Sequence, residues 1–356
     1  MIRDSHGGGV DRAAQELGLS REQILDFSAS INPLGLPESA RQAIIRNIDR
    51  ITDYPEIDAQ SLCRTLARQQ NLPEEYLLPG SGSTELIYLL PRVLKPRRAL
   101  IIEPAFSEYA PALRQAGCWI DTHSLYAEDN FRFDPQRVLQ SLHPETELVL
   151  LANPGNPTGI AIDPSPLREL ATALGDCRLL IDEAFVDFSP EHSLLTAVAE
   201  FKNLFVLRSM TKFYAIPGLR VGYLAGPARE IALLAAERQP WALSTLALFV
   251  AKACLEDTLY QQQTLSEIPR LRAQLTHGLE QLSLTVFPSA VNYLLFRTPQ
   301  LWPDAENLCE RLREKGILIR NCANFQSLDN RYLRVAVRST DENRQLLDAL
   351  RNFADA

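Results

Sequence analysis

Leu204-Phe-Val-Leu-Arg-Ser-Met-Thr-Lys-Phe-Tyr-Ala-Ile-Pro-Gly-Leu-Arg220 begins as an apolar strand, ends in a lone lysine, and adds a second cation eight positions later. Burial disfavours the charged form of an amine, so a lysine delivered by such a strand loses its proton readily and can condense with an aldehyde. Standing alone, Lys212 better fits a side chain whose stem packs on apolar surface while its head reaches water. Other segments decide between the two.

Upstream, Arg178-Leu-Leu-Ile-Asp-Glu-Ala-Phe185 is a short apolar run closing in two carboxylates, the pattern of a buried parallel strand. Ligands of open α/β sheets gather beyond the carboxyl ends of their strands, where Asp182 would stand. A carboxylate there can face the ring nitrogen of pyridoxal phosphate and keep it protonated, which makes the ring an electron sink; the plainer alternative is a loop cap. Leu151-Ala-Asn-Pro-Gly-Asn-Pro-Thr-Gly159 follows another apolar run and forms a rigid double turn, from which Asn156 can donate its amide to a cofactor oxygen. Pro79-Gly-Ser-Gly-Ser-Thr-Glu85 precedes the helix-like run Leu86-Ile-Tyr-Leu-Leu90, and free amides at such a helix start bind phosphate.

In this order the four segments resemble those of fold-type I pyridoxal-phosphate enzymes, in the branch that contains histidinol-phosphate aminotransferase. The resemblance implies an α/β fold, with a large doubly wound, mostly parallel sheet domain and a smaller α/β C-terminal domain. It implies a phosphate loop at Gly82, Ser83 and Thr84, a stacking aromatic at Tyr109, and cofactor contacts from Asn156 and Asp182. By the same resemblance Lys212 bonds the cofactor while Ser209 and Arg220 join its phosphate, and Lys212, Asp182 and Tyr109 form the catalytic set. Tyr54, in Asp53-Tyr-Pro55, matches a tyrosine that such proteins send into the neighbouring subunit's site, so a homodimer is implied.

Composition agrees. A chain of 356 residues with 46% hydrophobic content holds a large core and a second, smaller domain. A net charge of -8 argues against nonspecific nucleic-acid binding but leaves room for a locally basic pocket. The opening residues lack a signal-peptide layout, and Leu243 to Leu255, the most apolar long stretch, is short and interrupted by Lys252, so no membrane span is expected. Six cysteines without metal spacing fit buried, reduced thiols in a cytoplasmic protein, and no metal site is expected.

Strands are expected at Ala99–Glu103, Leu148–Ala152, Leu179–Asp182, Leu204–Leu207 and Val221–Ala225, all in one parallel sheet. Helices are expected at Ser107–Gly117 and Pro164–Leu174, with a long polar helical connector from Glu256 to Leu282. Beyond it the pattern gives strands at Asn292–Arg297, Ile317–Arg320 and Tyr332–Arg338, and helices near Trp302–Lys315 and from Asp341. The expected division is an N-terminal arm (1–40) packing on the small domain, a large cofactor domain (41–270) and a small domain (271–356).

The arm bears on the reaction. Ser5-His-Gly-Gly-Gly9 can present an imidazole and bare amides to an anion. Together with Asp26-Phe-Ser-Ala-Ser-Ile-Asn-Pro-Leu-Gly35 it resembles the arm of the L-threonine-O-3-phosphate decarboxylases, cobalamin-pathway relatives of histidinol-phosphate aminotransferase. Aminotransferases of this branch carry a tyrosine after Asp-Glu-Ala; this chain has Phe185. The resemblance implies a small phosphorylated amino acid as substrate, held by His6, Gly7, Ser30, Asn156, Arg320 and Arg334. The implied reaction yields (R)-1-amino-2-propanol O-2-phosphate and carbon dioxide. Amino transfer to a histidinol-phosphate precursor is the principal alternative, a serine phosphate substrate is left open, and a non-catalytic cofactor-binding regulator is the remote one.

Overall fold

A strand that is apolar on both faces must be covered on both, and helices supply the cover. The computed structural model describes residues 7–354. β1 (Leu25–Asp26) lies in the arm. β2 (Leu77–Gly80), β3 (Arg98–Glu103), β4 (Trp119–Ser124), β5 (Leu148–Ala152), β6 (Arg178–Asp182), β7 (Leu204–Ser209) and β8 (Gly222–Ala225) form a seven-stranded sheet ordered β2-β8-β7-β6-β5-β3-β4. From β3 the chain steps outward to β4 and returns with β5 on the other side, which opens a crevice beyond the carboxyl ends of those strands.

The sheet corrects the sequence reading in two places. β8, expected to be parallel, runs antiparallel to both β7 and β2. β2 and β4 were not foreseen, because Pro79-Gly80 reads as loop and Trp119–Ser124 is polar and only partly covered; both are edge strands, where proline and polar residues are tolerated.

β9 (Thr285–Val286), β10 (Tyr293–Arg297), β11 (Ile317–Leu318), β12 (Arg320–Asn321) and β13 (Tyr332–Ala336) follow. Four of them make an antiparallel sheet ordered β12-β13-β10-β9. The single strand expected at Ile317–Arg320 is broken, because β11 turns away to pair in parallel with β1, Leu25 against Ile317 and Asp26 against Leu318. That ladder fastens the arm, and Ala13, Ala14 and Ile24 pack with Leu318 beneath it.

The expected connector is two helices. Thr245–Glu256 ends at Asp257, whose carboxylate accepts from Tyr260 N–H and starts Thr258–Glu280. This second helix buries Tyr260 and Ile268 in the core of the large sheet, then Leu271, Leu275 and Leu279 in a second core with Phe27, Leu294 and Leu333. Helical spacing keeps all of these on the covered face. Among the described residues no helix is long and apolar enough to cross a membrane. All six cysteines are free, and Cys177 and Cys309 are half-buried rather than buried.

Candidate active site

The carboxyl ends of β5, β6 and β7 converge on a cavity of about 460 Å³. β7 delivers Ser209, and the short helix Met210–Phe213 swings Lys212 to the cavity wall, where its Nζ donates to Ser209 Oγ at 3.0 Å. The backbone there is held from the arm, since Asn32 N–H donates to the Lys212 carbonyl at 3.0 Å. Burial pushes the Lys212 ammonium down to about 8; the Asp182 carboxylate opposes this, and the Arg220 and Arg334 cations reinforce it.

Asp182 ends β6 with its carboxylate buried at the same wall. One oxygen accepts from Ala184 N–H at 2.9 Å and the other from the Tyr109 hydroxyl at 2.7 Å. Burial raises the Asp182 pKa, while the Tyr109 bond, the Lys212 charge and the Ala184 amide pull it down. Tyr109, read from the sequence as a stacking ring, is buried with its hydroxyl committed to Asp182 and its ring edge-on to Phe106 at 5.9 Å.

The helix Gly82–Leu94 starts beside these groups, with Ser83 and Thr84 lining the cavity. Gly82 has φ +78°, and a Cβ built on it would lie 2.5 Å from Arg220 Nη2, so only glycine lets that guanidinium reach the helix start. Arg220 itself takes a left-handed backbone and donates to the Pro217 carbonyl at 3.1 Å. An amine of depressed pKa, a buried carboxylate, and a cradle of helix amides beside a guanidinium fit pyridoxal phosphate at its aldehyde, ring nitrogen and phosphate respectively.

The opposite wall comes from the arm and the small sheet. Arg320 and Arg334 are buried and occupy paired positions on β12 and β13. Arg334 donates to Asn156 Oδ1 at 2.6 Å and to the Ser28 carbonyl at 3.0 Å; its Nε is buried without a partner. Arg320 donates to the Asn321 carbonyl at 2.6 Å and to Asn324 Oδ1 at 2.8 Å, beneath the Phe325 ring. Gly7 lies so close to Ser28 that a Cβ would sit 2.2 Å from its carbonyl oxygen, and Gly8 N–H donates to Ser28 Oγ at 3.0 Å. Ser30 lines the cavity with a buried hydroxyl that has no partner.

Of the residues singled out from sequence, Gly7, Ser30, Ser83, Thr84, Tyr109, Asn156, Asp182, Lys212, Arg320 and Arg334 line this one cavity. Gly82 and Ser209 adjoin it through their contacts with Arg220 and Lys212. Tyr54 does not line it; its ring is 86% exposed and leans on Trp241 at 5.4 Å. His6 lies outside the described residues.

Sequence reasoning missed Asp26, which fixes the arm by accepting from Ser28 N–H at 2.8 Å and Ser28 Oγ at 2.6 Å. The Asp-x-Ser spacing carries that signal. It also missed Tyr293, hidden as an apolar strand residue, whose ring meets Phe185 edge-on at 4.9 Å and lies 5.0 Å under the Arg334 guanidinium.

The family model for class I and II aminotransferases matches residues 22–350. Threonine-phosphate decarboxylase of Salmonella typhimurium is 42% identical over 361 positions, which cover 99% of this chain and 97% of that protein. Among solved structures, histidinol-phosphate aminotransferase of Clostridium acetobutylicum superposes with a TM-score of 0.87 at 28% identity, covering 93% of this chain and 99% of that one. L-threonine-O-3-phosphate decarboxylase of Porphyromonas gingivalis gives 0.85 at 26% identity, with 94% and 100% covered. By sequence and by fold, therefore, the chain belongs to the class I and II aminotransferase family of pyridoxal-phosphate enzymes.

Proposed function

We propose that this protein decarboxylates L-threonine O-3-phosphate to (R)-1-amino-2-propanol O-2-phosphate and carbon dioxide, as a step of cobalamin biosynthesis. The observation that carries the reading is the buried Arg320–Arg334 pair facing the Lys212 and Asp182 wall, with the arm at Gly7, Ser28 and Ser30 closing the space between. Two guanidinium forks suit a ligand with two anionic groups, a phosphate and a carboxylate. The near full-length likeness to a threonine-phosphate decarboxylase supports it.

Bound pyridoxal phosphate supplies an electron sink for the pair left on Cα when the carboxylate departs as carbon dioxide. Lys212 would hold the aldehyde, Asp182 the protonated ring nitrogen, and Gly82, Ser83, Thr84, Ser209 and Arg220 the phosphate end. Asn156 and Tyr109 would flank the ring. Arg334, Arg320, Gly7, Ser30 and His6 would grip the substrate's phosphate and carboxylate and so fix the orientation of Cα, which selects loss of the carboxylate over loss of the Cα hydrogen. Lys212 Nζ, whose pKa is lowered to about 8, holds a substantial ammonium fraction near neutral pH, and that form can return the proton to Cα. Phe185 brings no hydroxyl to the site, a difference from the aminotransferase pattern that favours the decarboxylase reading.

The division into arm (1–40), large domain (41–270) and small domain (271–356) belongs to this proposal, supported by two cores that one helix joins between Ile268 and Leu271. So does a homodimer in which Tyr54 completes the neighbouring site, supported by the exposed Ile48, Ile51, Tyr54, Ile57 and Trp241. A cytoplasmic setting is supported by six unpaired cysteines.

The deciding experiment is carbon dioxide release from L-threonine O-3-phosphate by the holoenzyme, run beside amino transfer from glutamate to imidazole-acetol phosphate. Release without transfer is expected; transfer without release would overturn the substrate assignment and leave the cofactor residues standing.

A further inference from the structure

Tyr293 opens β10 and is wholly buried. Its neighbour on the ladder, Leu295, is the register partner of Arg334, so Tyr293 and Arg334 are diagonal neighbours on one face of the small sheet. The guanidinium carbon sits 5.0 Å above the Tyr293 ring, within range of a cation–π contact. The Phe185 ring meets Tyr293 edge-on at 4.9 Å and 82°, which fixes the plane of the phenol.

The hydroxyl is committed as well. It donates to the Gly155 carbonyl at 2.6 Å, immediately before Asn156, and burial pushes the phenol pKa upward so that it stays a donor. The chain leading into β10 grips the same loop at its other end, where Ala290 N–H donates to the Gly159 carbonyl at 2.8 Å. One side chain therefore touches the arginine, its bonding partner's loop and the apolar wall opposite Lys212.

Arg334 spends one N–H on Asn156 and one on Ser28, and its Nε remains buried and unpartnered. A guanidinium carries five N–H donors in one plane, so the donors that Asn156 and Ser28 leave unused can meet a carboxylate only if that plane is held. Two hydrogen bonds from the terminal nitrogens leave that plane free to tilt, and the Tyr293 ring beneath the guanidinium limits the tilt.

We propose that Tyr293 is a positioning residue whose ring aims the unused N–H donors of Arg334 at the substrate's carboxylate. The inference rests on the decarboxylase reading above and names the residue that confers its selectivity for a carboxylate-bearing amine.

The test compares wild type, Tyr293→Leu and Tyr293→Phe holoenzymes with two ligands. L-threonine O-3-phosphate has the carboxylate; 1-amino-2-propanol O-2-phosphate keeps the amine and phosphate and lacks it. Tyr293→Leu should raise KM for the first about tenfold and shift inhibition by the second less than about twofold, the scale of a desolvated cation–π contact. Tyr293→Phe, which keeps the ring, should stay within about threefold of wild type for both, with cofactor affinity by absorbance titration unchanged in every variant. Equal losses for the two ligands, or a Phe variant as impaired as the Leu variant, would overturn the proposal. Tyr293→Met fills the space without a π face and carries the same prediction if the Leu variant does not fold. Wild-type carbon dioxide release tests the reaction separately. Should it be absent, the same two ligands are compared by absorbance-monitored binding, and their affinity ratio alone decides the role of Tyr293.

Discussion

Arg320 and Arg334 stand directly opposite one another across β12 and β13, both buried, so that the strand pair sets two like charges face to face. Like charges at paired positions repel, and burial sharpens the cost. An anion between them relieves it. Arg334→Gln and Arg320→Gln should each raise KM for L-threonine O-3-phosphate by about 10- to 100-fold, the loss of a hydrogen bond to a charged group, and leave cofactor affinity within about twofold. Arg334→Lys should not restore binding, because a point charge cannot reproduce the fork that also serves Asn156 and Ser28. Substrate kinetics beside an absorbance titration of the cofactor separates the two effects. Loss of cofactor with normal KM would place Arg334 at the wrong end of the site.

Lys212 has its ammonium pushed down to about 8 by burial, with Arg220 and Arg334 adding to the effect and Asp182 opposing it. The neutral amine is the form that attacks an aldehyde, so the rate at which cofactor-free protein captures pyridoxal phosphate should rise with pH through about 8 and level off above it. Stopped-flow absorbance reads this directly. Arg334→Gln removes one of the two cations and should move the midpoint upward. Lys212→Ala should abolish both the visible band and turnover; a coloured, fully active variant would remove the basis of the cofactor assignment.

The parts of this molecule that the sequence made legible are those whose chemistry is local. β5, β6 and β7 announce themselves as apolar runs, and each ends in a residue or turn that faces the cavity: the Asn156 loop, Asp182, then Ser209 with Lys212. The antiparallel β8 was invisible as such, since a four-residue apolar strand reads the same in either direction. The split of Ile317–Arg320 was equally hidden, because it depends on the arm's β1 competing for Ile317 and Leu318 from nearly 300 residues away. Tyr293 was missed for the same reason. Nothing in Asn292-Tyr-Leu-Leu-Phe-Arg297 distinguishes a core tyrosine from one whose hydroxyl reaches the Gly155 loop after β5.

Behind Asp182, on the side of the sheet edge away from the cavity, Glu183 is fully buried and accepts from Leu194 N–H and the Ser193 hydroxyl at 2.6 Å each, and from Arg208 Nη1 at 3.2 Å. Burial pushes its carboxyl up to about 7 despite the Arg208 cation. A group with a raised folded-state pKa holds its proton more tightly when folded, so its stabilising contribution is complete below about 4.5 and is lost as pH rises through about 7. Glu183→Gln keeps one acceptor oxygen, for Leu194 N–H, places an NH2 that can donate to the Ser193 hydroxyl oxygen, and has no proton to lose. The variant should therefore show a flatter decline in unfolding free energy between pH 4.5 and 7, by on the order of 2 to 3 kcal/mol. Urea denaturation at the two ends of that window measures it. An unchanged slope would mean that Glu183 is ionised throughout and that Arg208, which also pairs with Asp187, offsets its burial completely.

Tyr54 sits on the surface with its ring against Trp241 and does not line the cavity of its own protomer. A large aromatic pair left in water, with Ile48, Ile51 and Ile57 exposed nearby, is an apolar surface that a second copy of the chain would cover. If Tyr54 serves the neighbouring site, each functional site takes Lys212 from one subunit and Tyr54 from the other. Tyr54→Ala and Lys212→Ala homodimers would then both be impaired, yet a mixed dimer would contain one site with both native residues and one with neither. Co-refolding the two variants in equal amounts should give about half its molecules as mixed dimers and recover roughly a quarter of wild-type turnover, on random pairing of identical interfaces. Recovery should vanish at dilutions that separate the subunits before mixing can occur. If Tyr54 acts only within its own chain, mixing yields no more than the average of the two impaired homodimers, and the shared-site dimer is excluded.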